Sequence, residues 1–517
     1  VNSFKSLSRR AVPTLAQSLA RSFAHTLAGS FAVAALFVAA SSVATAQGQA
    51  ATAAPQATPP PPAAPRSVTV PKPVERTLAN GLRVVVVERS NMPLVSAALL
   101  IRNGGEVDPP QLAGLADMTA SLLTKGTQTR TAPQIAEAIE ALGGSIESGA
   151  RWDASTASVG VQSSRINNAM EILADVVRRP TFKDEEIERL RAQYVDDLTV
   201  ALGQPGSIAR YVASRVVFGN NPYGHPLSGT PESVVRIKRA DIVQMHATYY
   251  RPDNAILVVG GDIAAADAFK TAERFFGDWR KPAAPLPAAS AKAAEATTGA
   301  QPRVVVVDKP DAGQAAVLVA RTGIRRTDPE FFRGIVANSV LSGYSGRLNQ
   351  EIRIKRGLSY GARSALETRR DAGPFMAEAQ TKNESGAVVA GLLLGELGRL
   401  ASGELPDAEL TPRKAVLIGG FARNLETASG LVSQVANLAL YGLSFDEINS
   451  YINSVQSITA KDVQGFAGSR LDSKAANVII VGDARKFLPE LQKQYKNVEV
   501  IPVADLDLNA AQLRKTK

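Results

Sequence analysis

The sequence predicts an α+β fold present twice: two homologous α/β sandwich domains, each a mainly antiparallel sheet covered by helices, joined by a linker. Three observations predict it. Short apolar runs bounded by turn residues alternate with longer segments of helical period, and the two kinds are mixed along the chain. The segment Ile237-Lys-Arg-Ala-Asp241, ahead of a strand ending at Asp262, recurs as Ile458-Thr-Ala-Lys-Asp462 ahead of a strand ending at Asp483. Arg102-Asn-Gly-Gly-Glu-Val-Asp-Pro109 has a counterpart of nearly the same offset in Arg321-Thr-Gly-Ile-Arg-Arg-Thr-Asp-Pro329. Two aligned ends with one shared offset indicate a duplicated unit.

Composition sets the outer limits. At 517 residues the chain can fill two hydrophobic cores, and with no cysteine it has neither disulfides nor thiolate metal ligands. The formal charge is +10, of which Lys5, Arg9, Arg10 and Arg21 supply four in a leader without acidic residues. The remaining excess is mild and is not gathered into a basic tract interleaved with aromatics, so no nucleic-acid partner is expected.

In chain order, residues 1–46 read as a cleavable signal peptide. A basic leader precedes the apolar run Phe31-Ala-Val-Ala-Ala-Leu-Phe-Val-Ala-Ala40, and Ala44-Thr-Ala46 supplies small-x-small cleavage chemistry. The run is too short for a stable membrane span. Cleavage is expected after Ala46, with a periplasmic mature protein. Residues 47–73, which include Pro59-Pro-Pro-Pro62, cannot build a core and read as a Pro/Ala-rich disordered tether.

The N-terminal domain is expected over 74–280. Asn80-Gly81 is a turn before the strand Leu82-Arg-Val-Val-Val-Val87, and Leu94 to Ile101 is a second strand. Helical patterns follow at 112–124, 132–142, 166–178 and 184–202, with a strand across Ser145–Val161. Ile237–Tyr250 is helical and Ala255-Ile-Leu-Val-Val-Gly260 is a buried strand. Residues 281–302 are an Ala/Pro-rich inter-domain linker, 303–490 the second domain, and 491–517 a C-terminal tail.

One stretch organises the chemistry. Gly114 opens and Gly126 closes a short amphipathic helix whose apolar face is Leu115, Met118 and Leu122, with Asp117 and Ser121 one turn apart on the other. In wording and surroundings it resembles the helix of the insulinase/pitrilysin family of zinc peptidases. There a His-x-x-Glu-His run lies in the same frame between Gly-x-Ala and Lys-Gly-Thr. Here those positions hold Asp117, Ala120 and Ser121. Zinc hydrolysis needs about three nitrogen, sulfur or carboxylate ligands plus a base, and a carboxylate, a methyl and a hydroxyl do not supply them. Further likeness lies in Leu142-Gly-Gly144, His225-Pro-Leu-Ser-Gly-Thr-Pro231 and Gly346-Arg-Leu-Asn-Gln-Glu-Ile-Arg-Ile-Lys-Arg-Gly-Leu-Ser-Tyr360, and in the duplicated layout, which in that family closes like a clam shell around an unfolded peptide.

The resemblance implies that function lies in the second half. Arg347–Arg356 reads as a helix stopped by Gly357, and Leu358–Leu366 as a strand. In the family an Arg and a Tyr at the spacing of Arg353 and Tyr360 hold the scissile peptide and stabilise its developing oxyanion, a role suited to a guanidinium fork and a phenol. Without the family, the favoured reading is the structural one, with Arg353 a cation at a helix C-terminus and Tyr360 a packed residue at a strand start; the family context reverses that preference. His225 and His246 are not at ligand spacing and are expected to pack. The nearest counterparts of the family's third ligand, a Glu on a later helix, are Asp196 and Asp197.

The leading expectation is a non-catalytic subunit of an exported two-chain zinc peptidase. This chain would carry no metal and supply Arg353 and Tyr360; a partner bearing His-x-x-Glu-His would hold the zinc. The alternatives are a structural or peptide-holding scaffold without peptidase partnership, and an enzyme using Asp117 and Ser121 for other chemistry.

Overall fold

The structure is a computed structural model and describes residues 69–287 and 301–515, all within one unit, Pro65–Lys517. The expected signal peptide, nearly all of the tether and most of the linker lie outside the described residues. The tether's last residues are described: the backbone of Val70 exchanges two 2.9 Å hydrogen bonds with the Asn449 side chain.

The first half begins with β1 (Val74–Thr77), β2 (Arg83–Glu88) and β3 (Leu94–Ile101). Helices α1 (Leu115–Leu122) and α2 (Ala132–Glu140) lead to β4 (Ser145–Ala150) and β5 (Ser155–Gln162). Then come α3 (Ile166–Arg178), α4 (Asp184–Gly203), α5 (Pro205–Phe218), α6 (Pro231–Arg236), α7 (Arg239–Tyr249), β6 (Ala255–Gly261) and α8 (Ala265–Phe276). The single strand expected over Ser145–Val161 is a hairpin, because the turn around Asp153 reverses the chain and pairs Ala150 with Ser155. Helix α5 was not visible in sequence. Pro205 and Gly206 look like a break, but Pro sits at the first helical position, where its missing N–H costs nothing.

The second half repeats the plan. It contains β7 (Val304–Asp308), β8 (Ala315–Thr322), α9 (Phe331–Leu341) and the short α10 (Arg347–Asn349), which passes into a π-helix, Gln350–Lys355. It continues through β9 (Ala362–Leu366), β10 (Pro374–Thr381), α11 (Gly386–Ser402), α12 (Asp407–Glu426) and α13 (Ala428–Tyr441). It ends with α14 (Glu447–Ser457), α15 (Ala460–Arg470), β11 (Asn477–Gly482), α16 (Leu488–Gln494) and β12 (Glu499–Pro502). The stretch after 490, expected to be a tail, supplies the edge strand β12, paired parallel to β7, so backbone pairing fixes it in the domain.

The strand orders are β1-β2-β6-β3-β5-β4 and β12-β7-β11-β8-β10-β9. Apart from the first edge strand they are the same topology, and paired helices match in length: α4 and α12 have 20 residues each, α5 and α13 have 14. Four of the five pairings in the first sheet are antiparallel; β2 and β6 run parallel.

Each sheet is buried on both faces, which explains why β2, β6, β7 and β11 read as unbroken Val/Ile/Leu runs. Val84, Val86, Leu99 and Leu257 face the half's own helices. On the opposite face Val85, Val87, Leu100, Ile256 and Val258 pack against Leu431, Val432 and Val435 of α13 from the other half. The second sheet reciprocates: Val305, Leu318, Ile479 and Val481 pack against Ile208, Val212 and Val216 of α5. Each half thus lends one helix to the other's sheet. Helix α11 belongs to a helix long and apolar enough to cross a membrane, yet Val389, Leu393, Leu397 and Leu400 are spent in the core.

A polar hub joins the halves at the loop between β9 and β10. Buried Asp153 accepts hydrogen bonds from Tyr223 Oη at 2.5 Å, Tyr441 Oη at 2.9 Å and the Arg370 backbone N–H at 2.7 Å. Arg370 pairs with Glu106 at 3.0 Å, and the Arg369 guanidinium lies 4.6 Å over the Trp152 ring and 4.8 Å over that of Tyr223.

Candidate functional site

Helix α1 is anchored at its start by a carboxylate. Asp108 accepts from the backbone N–H of Gly114 at 2.9 Å and of Ala116 at 2.8 Å, so it caps the helix from outside it. Gly114 has φ +96°, and a Cβ there would come within 2.8 Å of the Ser228 carbonyl oxygen. That close approach seats the loop at 226–229 on the first turn, where Ser228 Oγ donates to Asp117 Oδ2 at 2.7 Å.

The other position with a polar side chain is closed as well. Ser121 Oγ lies 2.9 Å from Tyr194 Oη on α4, and Ala120 between them is fully buried. Burial raises the pKa of Asp117, opposed by hydrogen bonds from Ser228, the Ala150 backbone and Tyr194. Burial, and then the charge of Asp117, pushes the Tyr194 phenol up too. The α4 residue facing α1 is therefore Tyr194, while Asp196 and Asp197, the expected counterparts of a third ligand, are exposed. The reason is helical period: Tyr194 falls on the inward stripe between Leu190 and Leu198, both buried, and the two aspartates fall off it.

These residues do not fit a zinc ion. The one carboxylate is engaged by Ser228 and favours its proton more than an ordinary Asp, and the neighbouring groups are a methyl and a paired hydroxyl. Among the described residues no three His, Asp or Glu side chains come together as a metal site. His225 is buried with Nδ1 2.9 Å from the Pro226 carbonyl and Nε2 3.0 Å from that of Gly105. His246 meets the Val177 carbonyl and stacks on Tyr250 at 4.7 Å. Burial lowers both imidazole pKa values. Both histidines pack, as their spacing suggests.

The second cluster is open where the first is closed. The helix expected over Arg347–Arg356 is one turn of α10 followed by the π-helix, and such widened turns are frequent at functional positions. Its start is pinned by the Arg347–Glu409 pair at 2.7 Å, and its end by Gly357 at φ +63°. Arg353 is half-buried, with its guanidinium 5.1 Å over the ring of Tyr344, and it makes no ion pair among the described residues. Tyr360 is 90% exposed, so it is not packed at the strand start. Among the described residues no hydrogen bond or cation–π contact joins Arg353 to Tyr360, and no hydrogen bond, ion pair or ring contact joins either to Asp117 or Ser121.

Tyr360 stands at a cavity of about 310 Å³ that sequence reasoning missed. It is lined by Gly206, Ala209 and Arg210 of α5 and, on the sheet face turned to that helix, by Ala316, Leu318, Arg363, Glu378 and Gln380. A wider groove of about 900 Å³ is lined by β3, β4 and β5 of the first sheet and by residues of α9, α12 and α13. Tyr344 and Tyr194 were missed too; for Tyr194 the Leu190–Leu198 stripe was the available signal.

Residues 83–230 match the family model described as insulinase, peptidase family M16, and residues 236–417 match the model described as peptidase M16 inactive domain. Together the two models cover more than half of the chain. The chain belongs to the insulinase family, M16. It is similar to an uncharacterized zinc protease of Mycobacterium leprae, 26% identical over 419 residues that make up 80% of this chain and 93% of the relative. Its fold is similar to that of a peptidase M16 inactive domain from Pseudomonas fluorescens, with TM-score 0.72, 24% identity, and coverage of 79% of this chain and 98% of that one. A protease from Helicobacter pylori gives TM-score 0.75 at 20% identity, covering 80% of this chain and 100% of that one. This M16 chain therefore keeps the family scaffold.

Proposed function

We propose that this M16 chain is the non-catalytic subunit of an exported, heteromeric zinc peptidase and acts on peptides only together with a zinc-bearing partner of the same family. The observation that carries the reading is the contrast between the two clusters. Asp117 and Ser121 are consumed by internal hydrogen bonds, whereas among the described residues Arg353 has no ion-pair partner and the Tyr360 side chain is exposed. Donors left free in this way suit a substrate carbonyl that arrives from outside the chain.

Zinc held by the partner's His-x-x-Glu-His helix would polarise the scissile carbonyl and activate water. This chain's share is to hold the peptide and to present the guanidinium of Arg353 and the hydroxyl of Tyr360 where negative charge develops. An extended peptide bound through backbone hydrogen bonds to a sheet edge gives broad sequence preference.

Peptide cleavage with parallel zinc analysis tests the reading, using this chain alone, a candidate His-x-x-Glu-His partner alone, and the mixture. A zinc-free, inert chain that switches on or strongly raises the partner's activity supports it. A mixture that behaves as the partner does alone, with no complex on gel filtration, points instead to a scaffold.

A further inference from the structure

The cavity beside Tyr360 has chemistry of its own. On the face turned to α5 its apolar lining is small, Gly206, Ala209 and Ala316, with Leu318 larger; Ala362, Ala379 and Val317 border it by backbone, because their side chains point into the core on the other face. On its side two guanidiniums share one carboxylate. Arg363 Nη2 lies 2.5 Å from Glu378 and Arg210 Nη1 lies 3.2 Å from it. The register explains the cluster, because Arg363 on β9 is directly opposite Glu378 on β10 and therefore shares its face. This part of the face extends past the first turn of α5, so no helix covers it.

One carboxylate does not exhaust two guanidiniums. Nε and Nη2 of Arg210 and Nη1 of Arg363 bond no protein group among the described residues. The rim adds the exposed amides of Gln314 and Gln380 and the Tyr360 hydroxyl. Spare forked donors beside the small residues Gly206, Ala209 and Ala316 match a carboxylate attached to a small apolar side chain.

We propose that this cavity receives the free C-terminal carboxylate of a bound peptide, with a small apolar last side chain on its floor. The inference rests on the reading of this chain as a peptide-binding subunit and narrows the substrate class. Helix α5 lines the cavity on one side and the 359–361 segment on another. With Tyr360 at the mouth, the scissile bond lies close to the anchored end. The preferred substrates are short peptides, or longer ones trimmed near the carboxyl terminus.

The test uses this chain alone, without a partner, and reads binding by fluorescence anisotropy. The probes are an N-terminally labelled hexapeptide ending in Ala-Val as free acid, the same peptide as C-terminal amide, and an amidated version with an internal Glu. The acid is expected to bind about tenfold more tightly than either amide, the scale of one charge-assisted contact. Arg210→Gln with Arg363→Gln should erase the difference. Glu378→Gln, which frees both guanidiniums, should tighten the acid further, a gain that misfolding cannot produce. Equal binding of acid and amide, equal binding of the internal-Glu amide, or no binding of the acid would each overturn the proposal. Because turnover is not read, such a failure leaves the roles of Arg353 and Tyr360 to be judged separately in the complex.

Discussion

The hydroxyls of Tyr194 and Ser121 lie 2.9 Å apart, and this contact closes α4 onto α1 at one of the residues that the family resemblance sets against a zinc ligand. The purified chain is expected to hold no zinc there after dialysis. A site filled at a hundred times its Kd would add about 2.7 kcal/mol of stability, so the melting temperature should not move with added zinc or chelator. Conversely, Asp117→His with Ser121→His and Tyr194→Glu should create zinc binding measurable by metal analysis. The same histidine pair with Asp197→Glu and Tyr194 retained should not. If the Asp197 variant binds as well, Tyr194 is not the residue that closes the site.

Tyr360→Phe separates function from stability. The side chain is 90% exposed, so its loss should leave the melting curve within about 0.5 kcal/mol of wild type. In the mixed peptidase the same variant, or Arg353→Ala, should lower kcat by more than about tenfold. Wild-type turnover by a variant complex that assembles normally would remove the role proposed for these residues.

Asp153 is expected to govern the joint between the halves. Asp153→Ala strips partners from the buried Tyr223 and from Tyr441 and the Arg370 amide. With roughly 1–3 kcal/mol for each buried polar group left unpaired, the loss should reach about 3 kcal/mol in urea unfolding. Since α5 and α13 each cover the other half's sheet, both halves should unfold in one transition. A fragment of residues 69–287 expressed alone should aggregate, and a soluble, cooperatively melting fragment would contradict the reciprocal packing.

Glu106 carries a pH signature. Burial raises its pKa to about 7, opposed by Arg370 and by hydrogen bonds from the Gly104 backbone and Asn103. The folded state therefore holds this proton where the unfolded chain has released it, and stability falls as pH rises from about 4.5 to 7. Buried Asp108 and Asp117 are raised as well and act in the same direction. Glu106→Gln should remove its share, so the gap in melting temperature between pH 5 and pH 7.5 should be smaller than in wild type. An unchanged gap would show that Glu106 stays ionised in the hub.

The chain's own order of residues determined a good deal. Periodicity marked most strands and helices of the first half, because one buried stripe per helix and continuous apolar runs in doubly covered strands are local patterns. The repeat of Ile237–Asp241 as Ile458–Asp462 announced two copies of one unit, and the loss of ligand chemistry at Asp117, Ala120 and Ser121 is a fact of residue type alone. The hairpin at Asp153 was hidden because β4 and β5 form one weakly apolar stretch without a Gly or Pro turn signal between them.

Only the tertiary structure decided what each candidate touches. Tyr194 and Ser121 are far apart in sequence, so their contact follows from how α4 lies across α1. The same holds for α5, whose apolar residues find their partner in a sheet formed by the other half. Arg210, Arg363 and Glu378 come from three elements and make a site only after two strands set their register and a borrowed helix stops short of the sheet's edge. Side-chain chemistry is written locally, but burial, pairing and exposure depend on groups that folding brings together from distant parts of the chain, and those decide whether a carboxylate or a phenol is consumed inside the protein or left free for a ligand.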